Sequence, residues 1–170
     1  MRSLDDAIAE YRQQMSKGDL QIAYRGLMDF LMGLRNHFSA GYPDHFLSAG
    51  IYQGYMDMSY FAVTPKALRD RKLKIALVLL HEDVSFEVWL CGANKQVQKK
   101  YWNAIRKTGW NKYRIPASIE GIDSIVEMPL IDRPNFDDPD YLTGQLEQGV
   151  MEFIENVSEF LSENGVVGSY

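Results

Sequence analysis

The chain has 170 residues, 46% hydrophobic and 24% charged, a balance that suits a folded globular domain and excludes a disordered or low-complexity segment. Its net charge of −5 argues against a dedicated nucleic-acid binder, and its longest strongly apolar run, residues 75–80, is far short of the roughly 20 residues that cross a bilayer. A single cysteine, Cys91, excludes an internal disulfide, and no apolar leader follows Met1, so a cytoplasmic single domain over residues 1–170 without membrane association is expected.

In chain order, Ser3 stands as an N-cap with Asp6 three residues on, and Leu4, Ile8, Tyr11 and Met15 follow at helical spacing up to Lys17-Gly18. Asp19 can open a second helix with Ala23, Leu27, Phe30, Leu31, Leu34 and Phe38 on one face, ended by Gly41-Tyr42-Pro43. The two are expected to form a helical hairpin. Residues 51–63 mix aromatic and β-branched side chains with alternation and predict a strand, and Thr64-Pro65 then reads as the cap and first-position proline of a short helical turn to about Arg71.

Leu73 to Leu80 is almost wholly apolar, as in a strand covered on both faces, and His81-Glu82-Asp83-Val84 separates it from a second strand at Ser85 to Gly92. In that strand Phe86, Val88 and Leu90 point one way and Glu87, Trp89 and Cys91 the other. Asn94 caps a helix that runs to Thr108 and stops at Gly109, with Tyr101 and Ile105 in its apolar stripe. Residues 112–115 and 125–131 are strand candidates, and Asp138-Pro139 opens a long helix with Leu142, Leu146, Val150, Phe153 and Val157 on its inner face. The sum is an α+β fold. A small, mainly antiparallel sheet, a three-stranded meander plus one or two strands, is packed by the N-terminal hairpin, a central helix and the long C-terminal helix.

Charge is segregated along this order. Residues 1–63 carry 5 basic and 7 acidic groups, residues 64–116 carry 12 and 4, and residues 117–170 carry 1 and 12. The middle is basic and the C-terminal part acidic.

Four stretches, Tyr24-Arg25-Gly26-Leu27-Met28, Gly54-Tyr55-Met56-Asp57-Met58-Ser59-Tyr60-Phe61, Phe86-Glu87-Val88-Trp89-Leu90 and Trp110-Asn111-Lys112-Tyr113, make the chain resemble an uncharacterised bacterial protein family of unknown function over nearly its whole length. That resemblance implies a bacterial, single-domain origin and carries no activity. In element order the chain is also similar to the restriction-endonuclease-like nuclease superfamily, which implies a metal site with Asp on the second meander strand and Asp or Glu, any residue, Lys on the third. Here the third strand reads Glu87-Val88-Trp89, and Leu73 to Leu80 holds no carboxylate. The scaffold would be degenerate, and fold analogy alone licenses no activity.

Three constellations bear on function. Asp57, His81 and Glu87 are the acid and imidazole groups in or beside the central strands, with Tyr55 and Trp89 as neighbours. If they converge they form a polar pocket able to ligate a metal or to pair an acid with a base; against this, buried polar groups are usually just hydrogen-bonded. The stretch 94–117 holds seven basic residues, Lys95, Lys99, Lys100, Arg106, Lys107, Lys112 and Arg114, with no acid and four interleaved aromatic rings, a composition suited to phosphate contact and base stacking. A solvated helix face is the plainer reading of the same pattern. Third, the basic helix face and the acidic Glu152, Glu155, Glu159 and Glu163 face can recognise each other, within one chain or across a homodimer.

No phosphate-binding loop, dinucleotide fingerprint or nucleophile motif occurs, so no cofactor is implied. The leading reading is a non-catalytic binding or protein-interaction module. The alternatives are a nucleic-acid-associated protein on the degenerate nuclease-like scaffold and a metal-dependent hydrolase using Asp57, His81 and Glu87.

Overall fold

The helical signals act where local chemistry places them. In the computed structural model, which describes residues 2–166, helix α1 spans Leu4–Lys17 and opens on a reciprocal cap: Ser3 Oγ accepts from the Asp6 amide and Asp6 Oδ2 from the Ser3 amide, both at 3.1 Å. Gly18, in the left-handed region at φ 83°, closes α1 and directly starts α2 (Asp19–Gly41). Only glycine adopts that corner without strain, so a single residue turns one helix into the next. Leu31, Leu34 and Phe38 of α2 enter the core, whereas α1 contributes no buried side chain.

The sheet has six strands: β1 (His45–Leu47), β2 (Tyr52–Gln53), β3 (Met58–Pro65), β4 (Leu73–Leu80), β5 (Ser85–Gly92) and β6 (Ser124–Ile131). Its order is β1-β3-β4-β5-β6, with β2 also pairing β3, and every ladder is antiparallel. Two helices connect strands, α3 (Lys66–Asp70) and α4 (Lys95–Thr108), and α5 (Pro139–Glu163) closes the fold.

Three local expectations change. The strand expected over 51–63 splits into β2 and β3 around a turn at Gly54–Asp57, where Met56 takes φ 63° and Asp57 Oδ1 accepts from the Met58 amide at 2.7 Å. The expected short helix forms as α3, but one residue later, with Pro65 as its cap and not its first residue, because Thr64 and Pro65 belong to β3: Thr64 is buried, its Oγ1 accepts from the Ile75 amide at 3.1 Å, and Pro65 pairs with His45. Residues 112–115 form no full strand; only Arg114 bridges Glu127, exchanging backbone bonds of 3.1 and 2.9 Å.

Phe61, Val63, Ile75, Leu77, Leu79, Phe86, Val88 and Leu90 share one face of the sheet and form the main core with α2, α4 and α5. Contact is direct, as in the Phe38–Phe61 and Phe30–Phe86 ring pairs. A Cβ on Gly149 would fall 2.5 Å from Leu130 Cδ2, so glycine there lets α5 sit down on β6.

Candidate functional site

The opposite face of the same strands is different. Its cluster consists of Ala76, Val78 and Cys91, with Met58, Tyr60, Leu80 and Trp89 packed over them, and every one of these residues belongs to β3, β4 or β5. No helix residue takes part. Alternation puts Tyr60 beside Val78, Val78 beside Glu87, and Ala76 beside Trp89, so small side chains form a floor roofed by large neighbours. Tyr52 pairs with Tyr60 across β2, rings 4.8 Å apart, and Lys74 Nζ lies 5.7 Å over the Tyr60 ring. Burial is thorough enough at the floor to push the Cys91 thiol up to about 12, which makes it inert at neutral pH. Burial likewise raises the Tyr60 hydroxyl above its ordinary value.

At the β5–β6 side of this face lies a knot of charge. Arg114 Nη2 donates to both oxygens of the buried Glu87, each at 3.0 Å, and Arg114 Nε donates to Glu127 Oε2 at 2.6 Å. Trp89 Nε1 donates to Glu87 Oε2 at 2.6 Å, and Ser124 Oγ donates to Glu127 Oε1. All four carboxylate oxygens therefore have a donor. Burial opposes the guanidinium charge, but Glu127 and then Glu87 outweigh it, so Arg114 holds its proton more firmly than usual. The guanidinium clamps the segment after α4 onto the sheet, a positioning role.

Asp57 and His81 sit elsewhere. The Asp57 carbonyl accepts from the His81 amide at 2.9 Å, His81 Nε2 lies 2.9 Å from Ser59 Oγ, and the imidazole stacks on Tyr24 of α2 at 5.6 Å and 19°. Ser59 shares the helix-covered face with Phe61 and Val63, so His81 and Glu87 lie on opposite sides of the sheet. Burial lowers the His81 pKa, partly offset by Asp57. Tyr55 is 97% exposed in the β2–β3 turn. Among the described residues no three His, Cys, Asp or Glu side chains converge as metal ligands.

The basic stretch also disperses. Lys95 Nζ reaches Asp123 Oδ1 at 2.9 Å and the Ile122 carbonyl, Lys112 Nζ reaches Asn156 Oδ1 at 2.7 Å, and the Arg106 guanidinium lies 4.5 Å over Trp102. Lys99 and Lys107 are exposed on the outer side of α4, and Lys100 is half-buried. Its aromatic rings serve the fold: Tyr101 is buried, Trp102 Nε1 donates to the Pro116 carbonyl at 2.8 Å, Trp110 stacks on Phe160 at 4.1 Å, and Tyr113 packs on Phe153 at 5.1 Å. An open cleft of about 430 Å³ lies where Trp110, Lys112, Asn156, Glu159 and Glu163 meet.

Sequence reasoning missed two groupings. Arg114 and Glu127 carry opposite charges in neighbouring strand candidates, a signal that was present but had no known pairing order to act on. His37, Tyr42 and Glu147 had none: Glu147 accepts from the Tyr42 hydroxyl at 2.7 Å and lies 2.7 Å from His37 Nε2, across about a hundred residues. These bonds tie the end of α2 to α5.

No helix of the described residues is long and apolar enough to cross a membrane. No curated protein and no solved structure matches the chain. A family model described as a domain of unknown function, DUF7000, matches residues 4–161, and the chain belongs to that family.

Proposed function

We propose that the protein is a non-catalytic interaction module and that the uncovered sheet face around Tyr60 and Trp89 is where it receives a protein partner. The observation that carries this reading is the composition of that face. Small buried residues lie under half-buried rings that come only from strands. Its charges compensate: Lys74 and Arg114 stand against Glu87 and Glu127, and Arg114 is bonded to both carboxylates. A neutral, aromatic surface suits an apolar or aromatic protein segment better than a polyanion. Of the carboxylates in the hydrolytic reading, Glu87 is occupied by Arg114 and Trp89, and Asp57 accepts from the Met58 amide. A lone cysteine suits a reducing compartment, which supports work in the cytoplasm.

The test compares two sets of variants in affinity capture from nuclease-treated extract, each checked to be folded at the temperature of capture. Tyr52→Ala with Tyr60→Ala is expected to weaken capture of a specific protein by about tenfold or more. Lys99→Glu with Lys107→Glu should leave it unchanged. The reverse pattern, or salt-sensitive binding of single-stranded or duplex nucleic acid in a fluorescence titration, would defeat this reading in favour of a nucleic-acid role.

A further inference from the structure

Helix α1 is fully built, but among the described residues it packs only lightly, near the Gly18 corner, where Met15 is half-buried. It is capped at Ser3 and at Gly18, yet none of its side chains is buried, and Leu4, Ile8 and Tyr11 are 76%, 39% and 54% exposed. A 14-residue helix is marginal in water unless its apolar face is packed. Beyond the Gly18 corner the exposure continues at Leu20 and Ile22, 44% and 72% exposed.

The apolar spacing is that of a coiled-coil seam. Leu4, Ile8, Tyr11 and Met15 follow one another by four, three and four residues, so Leu4 and Tyr11 take d positions and Ile8 and Met15 take a positions. The flanking e positions are then Asp5 and Arg12, and the g positions Ala7 and Gln14. The other charged side chains along the arm are engaged within it: Arg2 with Glu10 at 3.4 Å, Asp6 with Ser3 at 2.7 Å, Glu10 with Gln14 at 2.7 Å, and Lys17 with Gln14 at 3.0 Å. Asp5 and Arg12, one acid and one base, are the two left over at the edge of the seam.

We infer that α1 pairs antiparallel with α1 of a second copy about a two-fold axis. In that arrangement Leu4 packs beside Met15 of the second copy and Ile8 beside Tyr11, which fills every layer. Like positions face one another across an antiparallel seam, so Asp5 meets Arg12 of the second copy, and by symmetry Arg12 meets Asp5. A parallel pair would set Arg12 against Ala7 and lose both attractions. Three acids and two bases between Leu4 and Lys17 also make α1 unlike the Lys- and Arg-rich helices that lie on anionic lipid. About 20 Å of paired helix is a modest interface, at the small end of those that hold protein complexes together.

Sedimentation velocity on the full chain over a wide concentration range tests this. Wild type is expected to pass from monomer to dimer, and Ile8→Glu to weaken association by about tenfold or more with its melting midpoint unchanged, because α1 lies outside the core. Asp5→Arg and Arg12→Asp should each weaken self-association, since each makes both e positions alike in charge. An equimolar mixture of those two variants should associate better than either alone, because each then meets its opposite. A monomer at all concentrations, a dimer indifferent to Ile8→Glu, a mixture no tighter than its components, or binding to anionic vesicles without self-association would each overturn the inference.

Discussion

The two faces of strands β3, β4 and β5 reach low solvent exposure by different means. On one face Phe61, Leu77 and Val88 meet side chains from helices, and the sheet and helices form a two-layer core. On the other, Ala76, Val78 and Cys91 are just as hidden, yet they lie only under rings and methionine from neighbouring strands. The difference teaches that a buried floor is not by itself evidence of a covered face. A second layer of protein distinguishes a core, and its absence beneath aromatic side chains distinguishes a surface that can accept one.

That comparison breaks most sharply under truncation. Phe61→Ala on the helix-covered face should cost about 3–5 kcal/mol, whereas Tyr60→Ala, its sequence neighbour on the uncovered face, should cost about 1 kcal/mol or less, read from urea midpoints. Equal losses would mean that the second face is a core after all. Next in size, Arg114→Ala strips Glu87 and Glu127 of their shared partner and should cost about 1–3 kcal/mol; Arg114→Lys should recover only part, because lysine cannot fork between two carboxylates. A neutral Arg114→Ala would show that the clamp holds nothing.

Smaller effects belong to the helix-covered side, where Tyr42 and His37 tie α2 to α5. The bond from its hydroxyl to Glu147 lifts Tyr42 to about 12, with burial adding to it. An unfolded tyrosine ionises near about 10, so the folded state keeps this proton longer. Its contribution is complete below about pH 10 and is lost as the pH climbs toward the folded value. Tyr60 and Tyr113 are also shifted upward by burial, so an absorbance titration should show several late-ionising tyrosines, one fewer in Tyr42→Phe. At the acid end, His37 and then Tyr42 hold Glu147 below the usual carboxylate range. Its contribution is present above that range and fades as the pH falls through the depressed value, so Glu147→Gln should flatten the acid limb of a pH–stability curve.

Much of this was legible from local chemistry. Asn94 and Gly109 bound α4 as read, Asp138 caps α5, and the Leu73–Leu80 and Ser85–Gly92 strands form the expected hairpin. The rest turned on partners far away in the chain. Pro65 belongs to a strand only because His45 lies beside it, and the turn at Met56 is held by Asp57 and by the strand pairing that follows. The candidate site divides the same way. That Glu87 and Trp89 share a face followed from alternation; that Arg114 completes their cluster did not.

The sequence alone determined the ends of α1 and α4, the start of α5 and the alternation that sets Glu87 and Trp89 apart from Phe86 and Val88, because caps, glycine corners and side-chain periodicity act within a few residues. Tertiary structure alone decided which side receives the helices, which carboxylates Arg114 closes, and that the stripe of α1 stays exposed while the similar stripe of α2 is buried. Periodicity states that a helix has an apolar face; only long-range packing supplies, or withholds, the surface that covers it.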